Sequence, residues 1–196
     1  MKRIALLTFA MLMGIFCYAQ SGHLEFSGIP INGTITQFQA RLMQKGYALN
    51  RQASNSMPNG TRIFEGVFIG HNVILFVYYD KQTKNVYRVK AIIRNLSESM
   101  ADQKYEEVQV MLLQKYNNSY SAEGVKDGKP GFCICPKRYR TYSGQNYNWK
   151  ECYGEISLYI SKDKRNINYP YLFNVHIDYN DQINSDKHNN NLLDEL

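Results

Sequence analysis

The sequence predicts an α+β fold in which an antiparallel sheet of about six strands has two helices packed on one face. Residues 61–94 contain three runs rich in Val, Ile, Phe and Tyr, separated by short polar breaks, as in strands joined by hairpins. Two other segments, 35–45 and the stretch that ends near Lys115, place apolar residues at helical spacing. Alternating segments recur between residues 132 and 179. Two helices and such a sheet bury all these apolar residues if both helices lie on one side.

The first half begins with a capping box, because Thr34 is followed three residues later by Gln37. We expect a helix over residues 35–45 that ends before Gly46, and then a polar loop. Of the three strands that follow, the third alternates most clearly. Its apolar positions fall on one face, and Arg88, Lys90 and Arg94 fall on the other. The middle run, 73–79, is apolar on both sides, which favours a central or covered strand.

The second half repeats this order. Ser97 or Ser99 caps a second helix, and a loop rich in Gly and Lys is predicted over residues 119–131. Pro136 interrupts the next strand, since it has no amide to donate to a ladder. Two further strands are predicted within residues 155–160 and 169–179, and the polar, Asn-rich residues 180–196 are predicted to be a disordered tail.

We therefore expect one domain over residues 20–179, with possible halves 20–95 and 96–179. The similar order of elements allows a tandem α-β-β-β repeat as an alternative to an ordinary α+β domain. The second face of the sheet is expected to be exposed or concave and available to a partner. This architecture is similar to the tandem helix-plus-sheet inhibitor and assembly-factor folds of the bacterial envelope.

The N-terminus predicts a cleaved signal peptide over residues 1–19. Lys2 and Arg3 precede an apolar run, and Cys17-Tyr18-Ala19 places small residues before a cut ahead of Gln20. That run, at about 13 residues, is too short to cross a bilayer as a helix. A retained membrane anchor is the alternative. We expect export to the periplasm or the extracellular space, with no stable membrane insertion after cleavage.

The charge of the chain argues against a nucleic-acid partner. Loss of Lys2 and Arg3 lowers the formal net charge from +6 to +4. Basic and acidic residues alternate through most of the chain, which is typical of a solvated surface and not of a groove for nucleic acid.

A motif near the start of the mature chain carries a resemblance. His23–Thr34, followed by Phe38, Leu42 and Lys45-Gly46-Tyr47, resembles the opening of a group of small exported proteins of unknown function that are common in gut Bacteroidetes. The resemblance implies export by a Gram-negative cell. It implies no activity, catalytic residue or cofactor.

Three cysteines remain after cleavage, and an oxidising compartment favours one disulfide among them. If residues 143–146 form a turn, Cys152 lies nearer in register to Cys135 than to Cys133. We expect a Cys135–Cys152 bridge, with Cys133 as the alternative partner. A metal site is not favoured, because the Cys-x-Cys pair has no neighbouring His.

Residues 137–153 form the most unusual stretch, since basic residues alternate with aromatic ones. The same register places Arg140 opposite Trp149, which permits a cation–π pair. An aromatic hairpin of this kind is a candidate binding site for a glycan or a protein, and its candidate residues are Arg140, Tyr142, Tyr147 and Trp149. The alternative is an ordinary packed hairpin.

Catalysis has little support in the sequence. No nucleophile elbow, phosphate-binding glycine loop or paired-His helix occurs. His176 and Asp178 share one face of a strand, so a hydrolase built around them is the second hypothesis. The first is a non-catalytic binding module for a glycan or protein partner, without a cofactor or metal. The third is an envelope inhibitor or a chaperone-like protein with one tight protein partner.

Overall fold

The computed structural model describes residues 22–117, 119–126, 128–136, 139–143, 146–150, 152–163 and 172–193. The predicted signal peptide lies outside the described residues, as does part of each loop that joins the later strands.

Within these residues there are twelve strands and four helices. In chain order they are β1 (Glu25–Phe26), β2 (Ile29–Pro30), α1 (Ile35–Gln44), β3 (Ala48–Leu49), α2 (Arg51–Asn55), β4 (Thr61–Phe68), β5 (His71–Tyr79), β6 (Val86–Leu96), α3 (Glu98–Lys115), β7 (Tyr120–Lys126), β8 (Lys129–Cys135), β9 (Tyr139–Ser143), β10 (Asn146–Lys150), β11 (Gly154–Lys162), β12 (Phe173–Asp181) and α4 (Gln182–Leu193).

Eight of the strands form one antiparallel sheet in the order β3-β4-β5-β6-β12-β11-β8-β7. The predicted α+β class and antiparallel sheet are confirmed, but the counts of six strands and two helices are too low. The short edge strand β3 was not predicted, and β7 occupies residues assigned to a loop. Strand β7 needs few apolar residues, because an edge strand has a neighbour on one side only.

The two predicted helices form, with the caps that the sequence indicates. Thr34 caps α1 through the capping box with Gln37, and the side chain of Ser97 accepts a hydrogen bond from the amide of Met100 at the start of α3. The unpredicted helix α2 is a single short turn beside β4.

One hydrophobic core lies between this sheet and helices α1 and α3. Helix α1 contributes Ile35, Phe38 and Leu42, and α3 contributes its own apolar face to the same buried cluster. A single row of paired residues crosses five strands of the sheet beneath the helices, and every member is buried. The row is Leu75, Ala91, Ile177, Leu158 and Phe132.

Each half of the sheet has one core helix and four strands in a similar chain order. In each half the first strand lies at the outer edge of the sheet and the last strand lies at its centre. Helix α1 is followed by β3-β4-β5-β6, with α2 inserted between β3 and β4. Helix α3 is followed by β7-β8-β11-β12, with the β9–β10 hairpin inserted between β8 and β11. The last strands of the two halves, β6 and β12, pair antiparallel at the centre of the sheet.

The C-terminal residues differ from their prediction, because residues 182–193 form a helix and not a disordered tail. Asp181, which is fully buried, accepts hydrogen bonds from the backbone amides of Asn184 and Leu24. The side chain of Asn184 donates to the carbonyl oxygens of Ile31 and Val86. Polar contacts with distant segments therefore hold a helix that has few apolar residues.

The predicted disulfide is not present in the structure. Among the described residues, Cys133, Cys135 and Cys152 are not joined to one another. Pro136 ends β8 after Cys135, so the strand that was expected to run on toward the 143–146 turn is divided and the predicted register does not extend to Cys152.

Candidate functional site: the open face of the sheet

The sheet face opposite α1 and α3 is called the open face. Strand alternation places polar and aromatic residues there, because their neighbours in sequence point into the core. Most of these side chains are half-buried. The face includes Ile74, Phe76 and Tyr78 of β5, Arg88, Lys90 and Ile92 of β6, His176 and Asp178 of β12, Ser157, Tyr159 and Ser161 of β11, and Cys133 of β8.

A cluster of three charges lies at its centre. The guanidinium of Arg88 donates from Nε to Oδ1 of Asp178 over 2.8 Å and from Nη2 to Oδ2. The ammonium of Lys90, directly opposite Asp178 in the ladder, lies 3.4 Å from Oδ2. A bidentate pair of this kind is stronger and more directional than a single contact.

The pKa values in the cluster follow from these contacts. Hydrogen bonding to Asp178 raises the pKa of Arg88 above its ordinary value, although burial opposes the shift. Burial lowers the pKa of Lys90, but Asp178, Tyr159 and Tyr78 together raise it by more, so the pKa of Lys90 also lies above its ordinary value. Both groups are therefore cationic, and with one carboxylate the cluster has a net charge of +1.

Next to the cluster, Tyr159 and His176 stack with their ring centroids 4.6 Å apart and their planes 5° from parallel. The two residues are direct partners in the β11–β12 ladder. Nε2 of His176 lies 2.8 Å from the hydroxyl of Ser161. The ammonium of Lys90 lies 5.9 Å from the centroid of Tyr159, within cation–π range.

On the other side, Phe76 and Tyr78 form an aromatic flank with ring centroids 6.5 Å apart. The guanidinium of Arg88 lies 5.1 Å from the centroid of the Tyr78 ring. Burial raises the pKa of Tyr78, and the nearby cations Lys90 and Arg88 offset part of that rise. Its phenol is therefore protonated at neutral pH and can donate a hydrogen bond.

Two hollows of about 380 Å³ each lie on the open face. The first, called the β7–β8 hollow, has Arg88, Asp178 and Tyr159 on one side and strand β7 on the other. The second lies in the other half of the sheet, and its lining includes Glu65, Asn72, Ile74, Ile92, Arg94 and Asn95.

His176 and Asp178, the residues of the predicted hydrolase, make hydrogen bonds with different partners. His176 and Asp178 do share one face of β12. However, Asp178 is bonded to Arg88, while the hydrogen bond of His176 Nε2 is made with Ser161. In the part of the chain that the structure describes, no group of three or more His, Cys, Asp or Glu side chains could hold a metal ion.

The predicted hairpin forms as a two-stranded unit, β9–β10, outside the eight-stranded sheet. Its register pairs Trp149 with Arg140 and Tyr147 with Tyr142, as the sequence predicts. The side chains of these four residues lie outside what is described.

Sequence reasoning assigned Arg88 and Lys90 to a solvated strand face and did not join them to Asp178. The signal was present, since a strand with two cations on one face implies a counter-charge on its neighbour. The neighbour could not be named, because β6 and β12 lie about eighty residues apart in the chain.

Comparisons with protein-family models, with curated proteins and with solved structures found no match to this chain. Among the helices of the described residues, none is both long enough and apolar enough to cross a membrane.

Proposed function

We propose that this chain is an exported, non-catalytic binding protein that holds another protein against the open face of its sheet. The observation that supports this proposal is the contrast between the two faces. One face is buried under α1 and α3. The other face presents aromatic and charged side chains that remain partly exposed to solvent.

The composition of the open face fits a protein partner. Tyrosine and arginine are, together with tryptophan, the residue types most enriched at the energetic centres of protein interfaces. Tyr78, Tyr159 and Arg88 lie together there and are held by the stacking and ion-pair contacts described above. Because their positions are already fixed, little conformational entropy is lost when a partner binds.

Export is part of the proposal and is supported by the signal-peptide pattern at residues 1–19. With a protein as its partner, the chain would act as an envelope inhibitor or a chaperone-like protein. The aromatic residues of 139–150 support the alternative of a glycan bound at the β9–β10 hairpin.

A hydrolase is the second candidate, and the observation that favours it is the 2.8 Å contact between Ser161 and His176. In enzymes with a serine nucleophile, an imidazole within hydrogen-bond distance of the serine hydroxyl acts as the general base. The carboxylate that would orient the imidazole is not supplied by Asp178, since that group is bonded to Arg88.

The proposal is tested by comparing two double variants as immobilised baits in an extract of the native cells. Phe76→Ala/Tyr78→Ala removes the aromatic flank of the open face. The matched control, Val110→Ala/Leu113→Ala, removes two apolar side chains exposed on α3, which lies on the opposite side of the sheet. We expect one protein to be retained by the wild type and the control and lost from the open-face variant, with all three folded by circular dichroism.

Three other outcomes would contradict the proposal. Equal retention by both double variants would exclude the open face. Glycan-array binding that Trp149→Ala abolishes and Phe76→Ala/Tyr78→Ala preserves would assign the function to the hairpin. A hydrolytic activity that His176→Ala or Ser161→Ala removes, and Trp149→Ala does not, would establish the enzyme.

A further inference from the structure

Gly124 occupies an interior position of β7 for which the contacts of the described residues give no reason. Its φ is not in the left-handed region, and no heavy atom of the described residues lies within 4 Å of the position that a Cβ would take. Two other strand glycines, Gly66 and Gly154, have clear reasons. A Cβ on Gly66 would lie 2.4 Å from the ring of Tyr47, and one on Gly154 would lie 2.1 Å from the carbonyl oxygen of Asn180.

A glycine inside a strand costs stability, because it has more backbone freedom to lose and no side chain to pack. One reason to keep such a glycine is the close approach of another molecule. Gly124 lies on the open face, opposite Gly131 of β8, and the same row continues to Tyr159 of β11.

The β7–β8 hollow lies over this row. Several of its lining residues have small side chains, namely Ala122, Gly131, Cys133 and Ser157. The two glycines therefore leave backbone exposed beside the ring of Tyr159. A space of this kind accepts a bulky apolar side chain, which is the usual anchor of a protein interface.

The charged wall of the hollow adds a second preference. Arg88 uses Nε and Nη2 to bind Asp178, so Nη1 takes no part in that pair, and the side chain is 36% exposed. Lys90 lies behind this wall, bound to Asp178, while Glu123 also lines the hollow and Glu155 bonds the Ser157 hydroxyl. The exposed guanidinium of Arg88 is therefore the cation of the hollow that a carboxylate of the partner would contact.

We propose that the β7–β8 hollow receives a protruding loop of the partner protein, with one bulky apolar side chain above Gly124 and Gly131 and a neighbouring carboxylate at Arg88. This inference rests on the proposed function and specifies the kind of partner surface that the open face binds.

The test uses a phage-displayed library of disulfide-closed seven-residue loops, selected on the full mature protein. Gly124→Trp adds a large side chain at the hollow, and its Cβ would meet no heavy atom of the described residues within 4 Å. Ser121→Trp is the matched control, since Ser121 is exposed on the same strand and points to the opposite face of the sheet. We expect enriched loops with an aromatic or large aliphatic residue next to Asp or Glu. Their affinity should fall about tenfold or more on Gly124→Trp and stay unchanged on Ser121→Trp.

Gly124→Ala gives an independent readout that needs no ligand. If the glycine is kept for a partner, this variant should melt at the same temperature as the wild type or higher, because alanine restricts the unfolded chain. A lower melting temperature would mean that Gly124 serves the fold, and would overturn the inference.

The remaining outcomes separate this inference from the function on which it rests. Loops that bind Gly124→Trp as tightly as the wild type but lose affinity for Phe76→Ala/Tyr78→Ala would overturn the inference and leave the proposed function standing. Failure to enrich any loop that depends on an open-face residue would count against both. Self-association of the wild type in sedimentation, abolished by Gly124→Trp, would assign the hollow to a second copy of the chain and overturn the inference.

Discussion

At the scale of single residues, Asp80 shows how hydrogen bonds determine the behaviour of a buried carboxylate. It lies at the end of β5, where Oδ1 accepts from the backbone amides of Gln82 and Thr83 and from the Thr83 hydroxyl. Oδ2 lies 2.7 Å from Nδ1 of His188 on α4. Burial raises the pKa of Asp80, but the hydrogen bonds from His188, Thr83 and Asn191 outweigh burial, so the pKa lies well below its ordinary value.

A lowered carboxyl pKa predicts a specific dependence of stability on pH. The ionised form of Asp80 is favoured in the folded state, so its contribution is complete above the unfolded pKa of about 3.9 and is lost as the pH falls further. We expect Asp80→Asn to be less stable than the wild type at neutral pH. The difference in the free energy of unfolding should shrink between about pH 5 and about pH 2.

Urea unfolding at several pH values measures this difference. Asp186→Asn is the control, because Asp186 is exposed on α4, the helix that carries His188. This substitution should change the free energy of unfolding by less than about 0.5 kcal/mol at each pH. A wild-type-to-Asp80→Asn difference that does not depend on pH would contradict the assignment.

At the scale of elements, α4 and β7 show why weak local signals were misassigned. Both are polar, so neither has the apolar periodicity from which helices and strands are predicted. Helix α4 forms because Asp181 accepts the amide of Asn184 in its first turn, and because Asn184 bonds two carbonyl groups of distant segments. Strand β7 forms because β8 supplies its ladder partners.

This account predicts a large difference between two asparagines of α4. Asn184→Ala leaves the buried carbonyl groups of Ile31 and Val86 without this donor, and we expect a loss of about 2 kcal/mol in the free energy of unfolding. Asn190→Ala, at an exposed position of the same helix, should cost less than about 0.5 kcal/mol. Chemical denaturation of both variants measures these values, and similar changes for the two would contradict the conclusion that the distant contacts of Asn184 hold α4.

At the scale of the whole molecule, the two halves share one core. Strands β6 and β12 pair at the centre of the sheet, and the buried row from Leu75 to Phe132 passes through both halves without a break. Separating the halves would expose apolar side chains such as Ala91 and Ile177 along that central pairing.

We therefore expect the chain to unfold in a single cooperative transition, although its elements are arranged as two similar halves. Urea unfolding followed by far-ultraviolet circular dichroism and by hydrogen exchange should give coincident midpoints. A fragment of residues 20–97 should lack a cooperative transition, while the full mature chain shows one. Two separate transitions, or a folded fragment, would instead establish two independent domains.

Local sequence signals were enough to predict the α+β class, the meander of β4, β5 and β6, the positions of α1 and α3 and the register of the β9–β10 hairpin. These features depend on local spacing, caps and turns, which involve only residues that are close together in the sequence. The pairing of β6 with β12 could be seen only in the folded molecule. This pairing brings Arg88 and Lys90 to Asp178, and the β7–β8 hollow forms beside them. Contacts between residues about ninety positions apart depend on strand order, and strand order is set by how the whole core packs.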